Sequence, residues 1–304
     1  MPTLLPRTTR AIRAIRTPRA WALVTCGLLV GTSVAGQAYT VRDAQGRNVE
    51  ISQPPRRIVS LLPAATESLC ALGACGRLVG VDADSNHPPE VTQLPHLGKL
   101  HAPTAEAIVR LHPDVVLSPP QPGLIAQLAR FGIPVLVLDA QDMAGLHAQL
   151  RTLDALLQQQ RADALLARLA AEIEQVARST GGEPGRSVYF EVDATPYAAG
   201  PQSFIGELLS RLGARNILTA AHGPFPRLNP EYVVRHNPEL IIHTPHTPRS
   251  ELARRPGWGT IAAVRSGQIC TLSPAEVDLV SRPGPRLGEA AAVLARCLRM
   301  PGSA

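Results

Sequence analysis

Aromatic side chains are scarce: Phe, Trp and Tyr make up 3% of 304 residues, although 45% of the chain is hydrophobic. The core must therefore be built from Leu, Val, Ile and Ala, and a ring placed in a loop is a candidate for contact with a guest. No apolar run reaches the roughly 20 residues needed to cross a membrane. The best one, Trp21-Ala-Leu-Val-Thr-Cys-Gly-Leu-Leu-Val30, is short and broken by Thr and Gly. Positive charge is also thinner than the pI of 9.5 suggests. Five arginines (Arg7, Arg10, Arg13, Arg16, Arg19) sit in residues 1–38 with no acid among them, and removing them takes the formal charge from +6 to +1. No Lys/Arg stripe is left to suggest nucleic acid. A Gly-x-Ser-x-Gly elbow, a phosphate-cradling glycine loop and a His-Glu-x-x-His pair are all missing, so the chain reads as a binding module and not an enzyme.

The basic stretch, the apolar run and the small residues Gly36-Gln-Ala38 have the order of an export signal, with cleavage expected after Ala38. The alternative is an uncleaved anchor. Outside that segment remain Cys70, Cys75, Cys270 and Cys297, an even number in a chain read as exported. Four cysteines allow three pairings, and the expected one is local, Cys70 with Cys75 and Cys270 with Cys297; four free thiols are the alternative. No Cys-x-x-Cys spacing points to zinc or thioredoxin chemistry.

One segment is written twice, 125 positions apart. Thr104-Ala-Glu106-Ala-Ile-Val-Arg110-Leu-His-Pro113-Asp-Val-Val-Leu117 recurs as Asn229-Pro-Glu231-Tyr-Val-Val-Arg235-His-Asn-Pro238-Glu-Leu-Ile-Ile242. Each copy predicts a capped short helix with an acid in its first turn, a proline that ends it, and an apolar strand. A repeat of this kind predicts two lobes of α/β type, each with a mostly parallel sheet flanked by helices. The boundaries follow as a signal segment at 1–38, a first lobe at 39–141, a connecting helix at 142–180 and a second lobe at 181–304. Leu146, Leu150, Leu153, Leu157, Leu165, Leu169, Ile173 and Val176 recur at helical spacing. They predict one long helix of roughly 50 Å at 1.5 Å per residue, with a bend near 158–161.

Two lobes, a connecting helix and an export signal resemble the substrate-binding proteins of ABC importers, in the helical-backbone class that serves cobalamin, ferric siderophores and haem. The residues that carry the resemblance are Arg57-Ile-Val-Ser-Leu-Leu-Pro-Ala-Ala-Thr-Glu67, Ala71-Leu-Gly-Ala74, Leu78-Val-Gly-Val-Asp82, Ser85-Asn-His-Pro-Pro89, the two Glu segments, and Arg282-Pro-Gly-Pro-Arg286. They span nearly all of the chain after residue 38, in the expected order, and are most similar to the cobalamin-binding members. The resemblance implies a periplasmic monomer with no resident cofactor. It would capture a corrinoid between its lobes and deliver it to the membrane permease, docking through Glu106 and Glu231.

It also implies a cleft lined by loops at 63–66, 85–88, 99–102, 118–120, 194–203, 223–227, 244–246 and 273–282. Tyr197 and Phe225 would pack on the macrocycle, while Asp278 and Arg282 would bond its side amides. Spacing alone leaves Asp278 and Arg282 open to an ion pair instead. His87, Leu100 and Pro119 depart from the pattern by standing where the family has aromatic rings. Lys99 occupies the place of an axial tyrosine in haem binders, which argues against haem. A ferric siderophore is the alternative ligand. A transition-metal receptor using His87, His101 and His246 is the alternative class; loop histidines are the plainer reading, so no metal site is assigned.

Overall fold

The computed structural model describes residues 38–98, 104–180, 185–193, 197–245 and 247–301. The proposed signal segment and Lys99, Leu100, His101 and His246 lie outside the described residues. In the first lobe an antiparallel hairpin, β1 (Tyr39–Arg42) and β2 (Asn48–Ile51), leads in. It is followed by β3 (Ile58–Ser60), α1 (Pro63–Ala71), β4 (Leu78–Val81), α2 (Ala105–Val109), β5 (Val115–Ser118), α3 (Pro122–Ala129) and β6 (Val135–Val137). Helices α4 (Met143–Leu157) and α5 (Ala162–Ser179) connect to the second lobe. That lobe contains β7 (Ser187–Asp193), β8 (Tyr197–Ala198), α6 (Phe204–Arg211), β9 (Arg215–Asn216), α7 (Pro230–His236) and β10 (Leu240–His243). It ends with α8 (Arg249–Arg254), α9 (Ala262–Arg265), β11 (Ile269–Thr271), α10 (Pro274–Ser281) and α11 (Leu287–Leu298).

Duplication reaches the topology. The first sheet is parallel in the order β4-β3-β5-β6. In the second, β9-β7-β10-β11 is parallel in the corresponding order, and β8 adds an antiparallel strand to β7. After both repeat helices the residue just before the proline is left-handed, His112 (φ 44°) and Asn237 (φ 43°). The acid after that proline does the same work in each lobe. Asp114 Oδ2 accepts the backbone N–H of Arg56 (2.7 Å) and of Arg57 (2.9 Å). Glu239 Oε2 accepts Ser187 N–H (2.7 Å) and its hydroxyl (2.9 Å). Each acid thus closes the open start of a central strand of its lobe's parallel sheet, β3 or β7, where backbone donors lack a ladder partner.

For Glu239 these bonds, the backbone N–H of Ser187 first and its hydroxyl second, hold the carboxyl below its ordinary 4.5. A lowered folded pKa stabilises above about pH 4.5, and the benefit fades as pH falls through the folded value. Glu239→Gln should therefore flatten the acid limb of a stability–pH curve below pH 4.5, measured by urea melts. An unchanged limb would contradict the assignment.

Strand residues alternate between two cores, since successive side chains point to opposite faces. Ile58, Val115, Leu117, Val188, Phe190 and Ile242 join a central cluster with Leu146, Leu150, Leu153 and Leu169 of α4 and α5. Val59 and Val116 face a separate core on the outer side of the first sheet, and Tyr189 and Ile241 face the matching one on the second. The connecting helices thus share one apolar core with both sheets, and all the described residues belong to one unit, Gly36–Ala304.

The single helix expected over 142–180 is two. Gln158 turns left-handed (φ 54°), and buried Asp154 accepts the N–H of Arg161 through both oxygens, at 3.1 and 3.2 Å. That carboxylate supplies a helix start, and an unbroken helix would leave it without this donor. Arg161 then reaches back to Leu72 O (3.0 Å). Glycine suits position 73 there, because at φ 81° an L side chain would be strained. The Thr104 cap also differs from expectation: its side chain makes no capping bond, whereas Asn229 caps Glu231 N at 2.9 Å. Disulfides join Cys70 to Cys75 and Cys270 to Cys297, each inside one lobe.

Candidate functional site

Parallel strands deliver their C-terminal ends to one side of a sheet, and here the two sheets present those ends to a shared cleft. Its volume is about 680 Å³. The first lobe contributes Leu62, Pro63, Ala64, Pro119 and the run 138–141 that follows β6. The second contributes Val192, Phe204, Ile205, His222, Pro224 and Phe225 as well as residues 281–283, while Gln149 of α4 forms the floor. A mostly apolar wall with a few polar groups suits a small-molecule guest.

The aromatic wall rests on a tight backbone pairing. Ala198 N donates to Pro226 O (3.0 Å) and Gly200 N to Pro224 O (2.8 Å). A Cβ on Gly200 would stand 2.2 Å from Gly223 O, so glycine is needed for this approach. The pairing holds Phe225 edge-on to buried Phe204, with centroids 5.9 Å apart and planes at 61°. Tyr197 lies opposite Arg227, two positions along the same ribbon, and is 43% exposed. It does not line the cavity.

Arg282 borders the cleft, but its guanidinium is already engaged. Nη1 donates to Glu67 Oε1 and Asn86 Oδ1, both at 2.8 Å. Nη2 donates to Asp84 O (3.0 Å) and pairs with Asp278 Oδ1 (2.9 Å). Asn86 Nδ2 closes the ring on Asp278 Oδ2 (2.8 Å). Glu67, Asp84 and Asn86 belong to the first lobe and Asp278 and Arg282 to the second, so the cluster is a latch between lobes. Arg286 Nη1 adds a second cation 3.6 Å from Glu67.

A polar chain beneath holds the 82–86 loop in place. Ser85 Oγ bonds to Asp82 Oδ1 (2.5 Å) and Thr66 Oγ1 (3.0 Å), and Thr66 donates to Ser60 Oγ (2.9 Å). Burial raises the Asp82 carboxyl above its ordinary 3.8, against the bond from Ser85.

The other nominated residues fall elsewhere. His87 lines a separate groove of about 770 Å³ with Glu67, Cys70, Cys75 and Arg286. Asp278 stands behind Arg282 in the latch, outside the cavity lining. Leu100 is outside the described residues. Glu106 and Glu231 are exposed at the starts of α2 and α7 and enter no ion pair among the described residues. No three His, Cys, Asp or Glu side chains converge as a metal site among the described residues, and no helix there is long and apolar enough to cross a membrane. Sequence reading missed Phe204, His222, Gln149 and the 138–141 run. Only the run carried a signal, since it directly follows the apolar strand at 135–137.

Known proteins resemble this chain in sequence and fold. A family model described as periplasmic binding protein matches residues 58–276. An uncharacterized ABC transporter substrate-binding lipoprotein of Bacillus subtilis is 30% identical over 271 residues, covering 85% of each chain. A vitamin B12-binding protein of Pectobacterium carotovorum is 30% identical over 242 residues, covering 77% of this chain and 84% of that one. A solved periplasmic heme binding protein from Pseudomonas aeruginosa matches with a TM-score of 0.65 at 27% identity, covering 82% of this chain and 94% of that one. The chain belongs to the periplasmic binding protein family, as a substrate-binding component of the ABC-transporter type and not an enzyme.

Proposed function

We propose that this protein, exported with cleavage after Ala38 and acting as a monomer, captures cobalamin or a related corrinoid in the interlobe cleft and hands it to an importing permease. The observation that carries the reading is the cleft wall, in which Phe225, braced edge-on by Phe204, faces Pro63, Ala64 and Pro119 across about 680 Å³. An aromatic face opposed to small apolar groups makes a slot for the edge of a flat ring system. The vitamin B12-binding relative supports the same ligand. Tyr197, at the rim, would cover the outer part of the ring. Arg282 and Asp278 would reach the guest by exchanging part of their latch for its amides.

Haem is the second reading, supported by the heme-binding structural match. The two are separated by titrating purified protein with cyanocobalamin, haemin, a ferric siderophore and zinc, following heat or tryptophan emission. Cyanocobalamin should bind with a Kd in the nanomolar-to-micromolar range and the others at least about 100-fold more weakly, a gap of about 2.7 kcal/mol. Tighter binding of haemin, siderophore or zinc would overturn the corrinoid assignment.

A further inference from the structure

The cleft floor holds an amide without a partner. Gln149 is 7% exposed and lines the cleft, and its Nε2 finds no hydrogen bond among the described residues. Buried donors are seldom left unpaired, because they give up water without replacement. Leu138, Asp139 and Gln149 also wall a smaller cavity of about 170 Å³ that runs back to Gly145, Ala148 and Thr152. The two spaces share these three lining residues, so Gln149 borders both.

Asp139 supplies the complementary chemistry. Its two oxygens lie 3.4 Å from Gln141 Nε2, a distant pairing that leaves acceptor capacity free. A primary carboxamide has a carbonyl for the Gln149 donor and an NH₂ for the Asp139 acceptor. A carboxylate has acceptors alone and would meet Asp139 with like charge.

We propose that buried Gln149 and exposed Asp139, which line the same two spaces, form a carboxamide-reading subsite, with the smaller cavity receiving the tip of an amide-ended side arm. The proposal rests on the corrinoid reading and names the part of the guest that is recognised. It separates amide-rimmed macrocycles from carboxylate-rimmed ones by the atoms they present and not by ring size.

The test titrates cyanocobalamin into purified wild-type protein, Gln149→Met and Gln149→Glu, with thermal melts recorded without ligand. Methionine keeps the length and removes the donor. Glutamate also removes the donor and adds a carboxylate beside Asp139. Both variants should bind cyanocobalamin about tenfold or more weakly. The melting midpoint of Gln149→Met should stay level or rise, because an unpaired buried donor has gone. Affinity within about twofold of wild type in Gln149→Met would overturn the proposal. So would weaker binding accompanied by a lower midpoint, which would make Gln149 a packing residue. A wild type that binds no cyanocobalamin sinks the corrinoid reading itself, whereas equal binding by wild type and variant sinks only the subsite.

Discussion

If the two exposed acids dock the permease, reversing both together, Glu106→Lys with Glu231→Lys, should reduce cellular uptake of the ligand to background while leaving the affinity of the purified protein unchanged. The two carboxylates are duplicated in sequence, in fold position and in exposure. Neither is spent on a neighbour among the described residues, although Arg110 and Arg235 stand four positions along. An acid displayed once per lobe suits a partner that touches both lobes and offers arginine to each. Losing a close charge pair in an interface costs about 2–5 kcal/mol, so even one reversal should weaken docking at least about 30-fold. Neither residue lines the cleft, so ligand binding should be unaffected. Normal uptake by the double variant would remove these residues from the docking face.

Arg282→Met should produce the largest loss of stability. Methionine fills much of the same volume but leaves Glu67, whose side chain is 3% exposed, with only the Arg286 guanidinium at 3.6 Å. Removing one partner of a buried ion pair costs about 3–5 kcal/mol, and Arg286 holds the loss near the lower end. That corresponds to a melting midpoint lower by roughly 5–10 °C for a protein of this size. Adding Glu67→Leu should return much of the loss, because the orphaned charge disappears with it. A double-mutant cycle measures the coupling. A drop of less than about 2 °C in the single variant would show that the latch contributes little.

Much of this fold was legible because its signals are local and repeated. The glycines at 73 and 213, the prolines at 113 and 238 and the short apolar strands all mark element ends directly, and the structure places them at those ends. The helix break was half-visible. Leucine spacing cannot show that Asp154 turns back to cap Arg161, because that preference depends on a fold in the chain. The aromatic wall was read through Phe225, whose loop position exposes it to view. Phe204 looked like an ordinary helix residue, and only the approach of 198–200 to 224–226 turns its edge toward Phe225. Spacing had left Asp278 and Arg282 open to an ion pair, but not to its extension to Glu67 and Asn86, roughly 200 positions away. Buried Gln149 offered no clue at all, since an amide in an amphipathic helix is commonplace and its isolation is a property of three dimensions.

The bend at Gln158 has a kinetic consequence. Its left-handed turn is pinned on one side by Asp154 and on the other by Arg161 reaching Leu72, and the helices it joins are buried in the core common to both sheets. A joint locked in this way sets the width of the gap before any molecule arrives. Entry then becomes a matter of collision and orientation, with only the side chains of the latch left to rearrange. Association rates should accordingly follow solvent viscosity closely and rise linearly with ligand concentration, without the plateau that a slow closing step imposes.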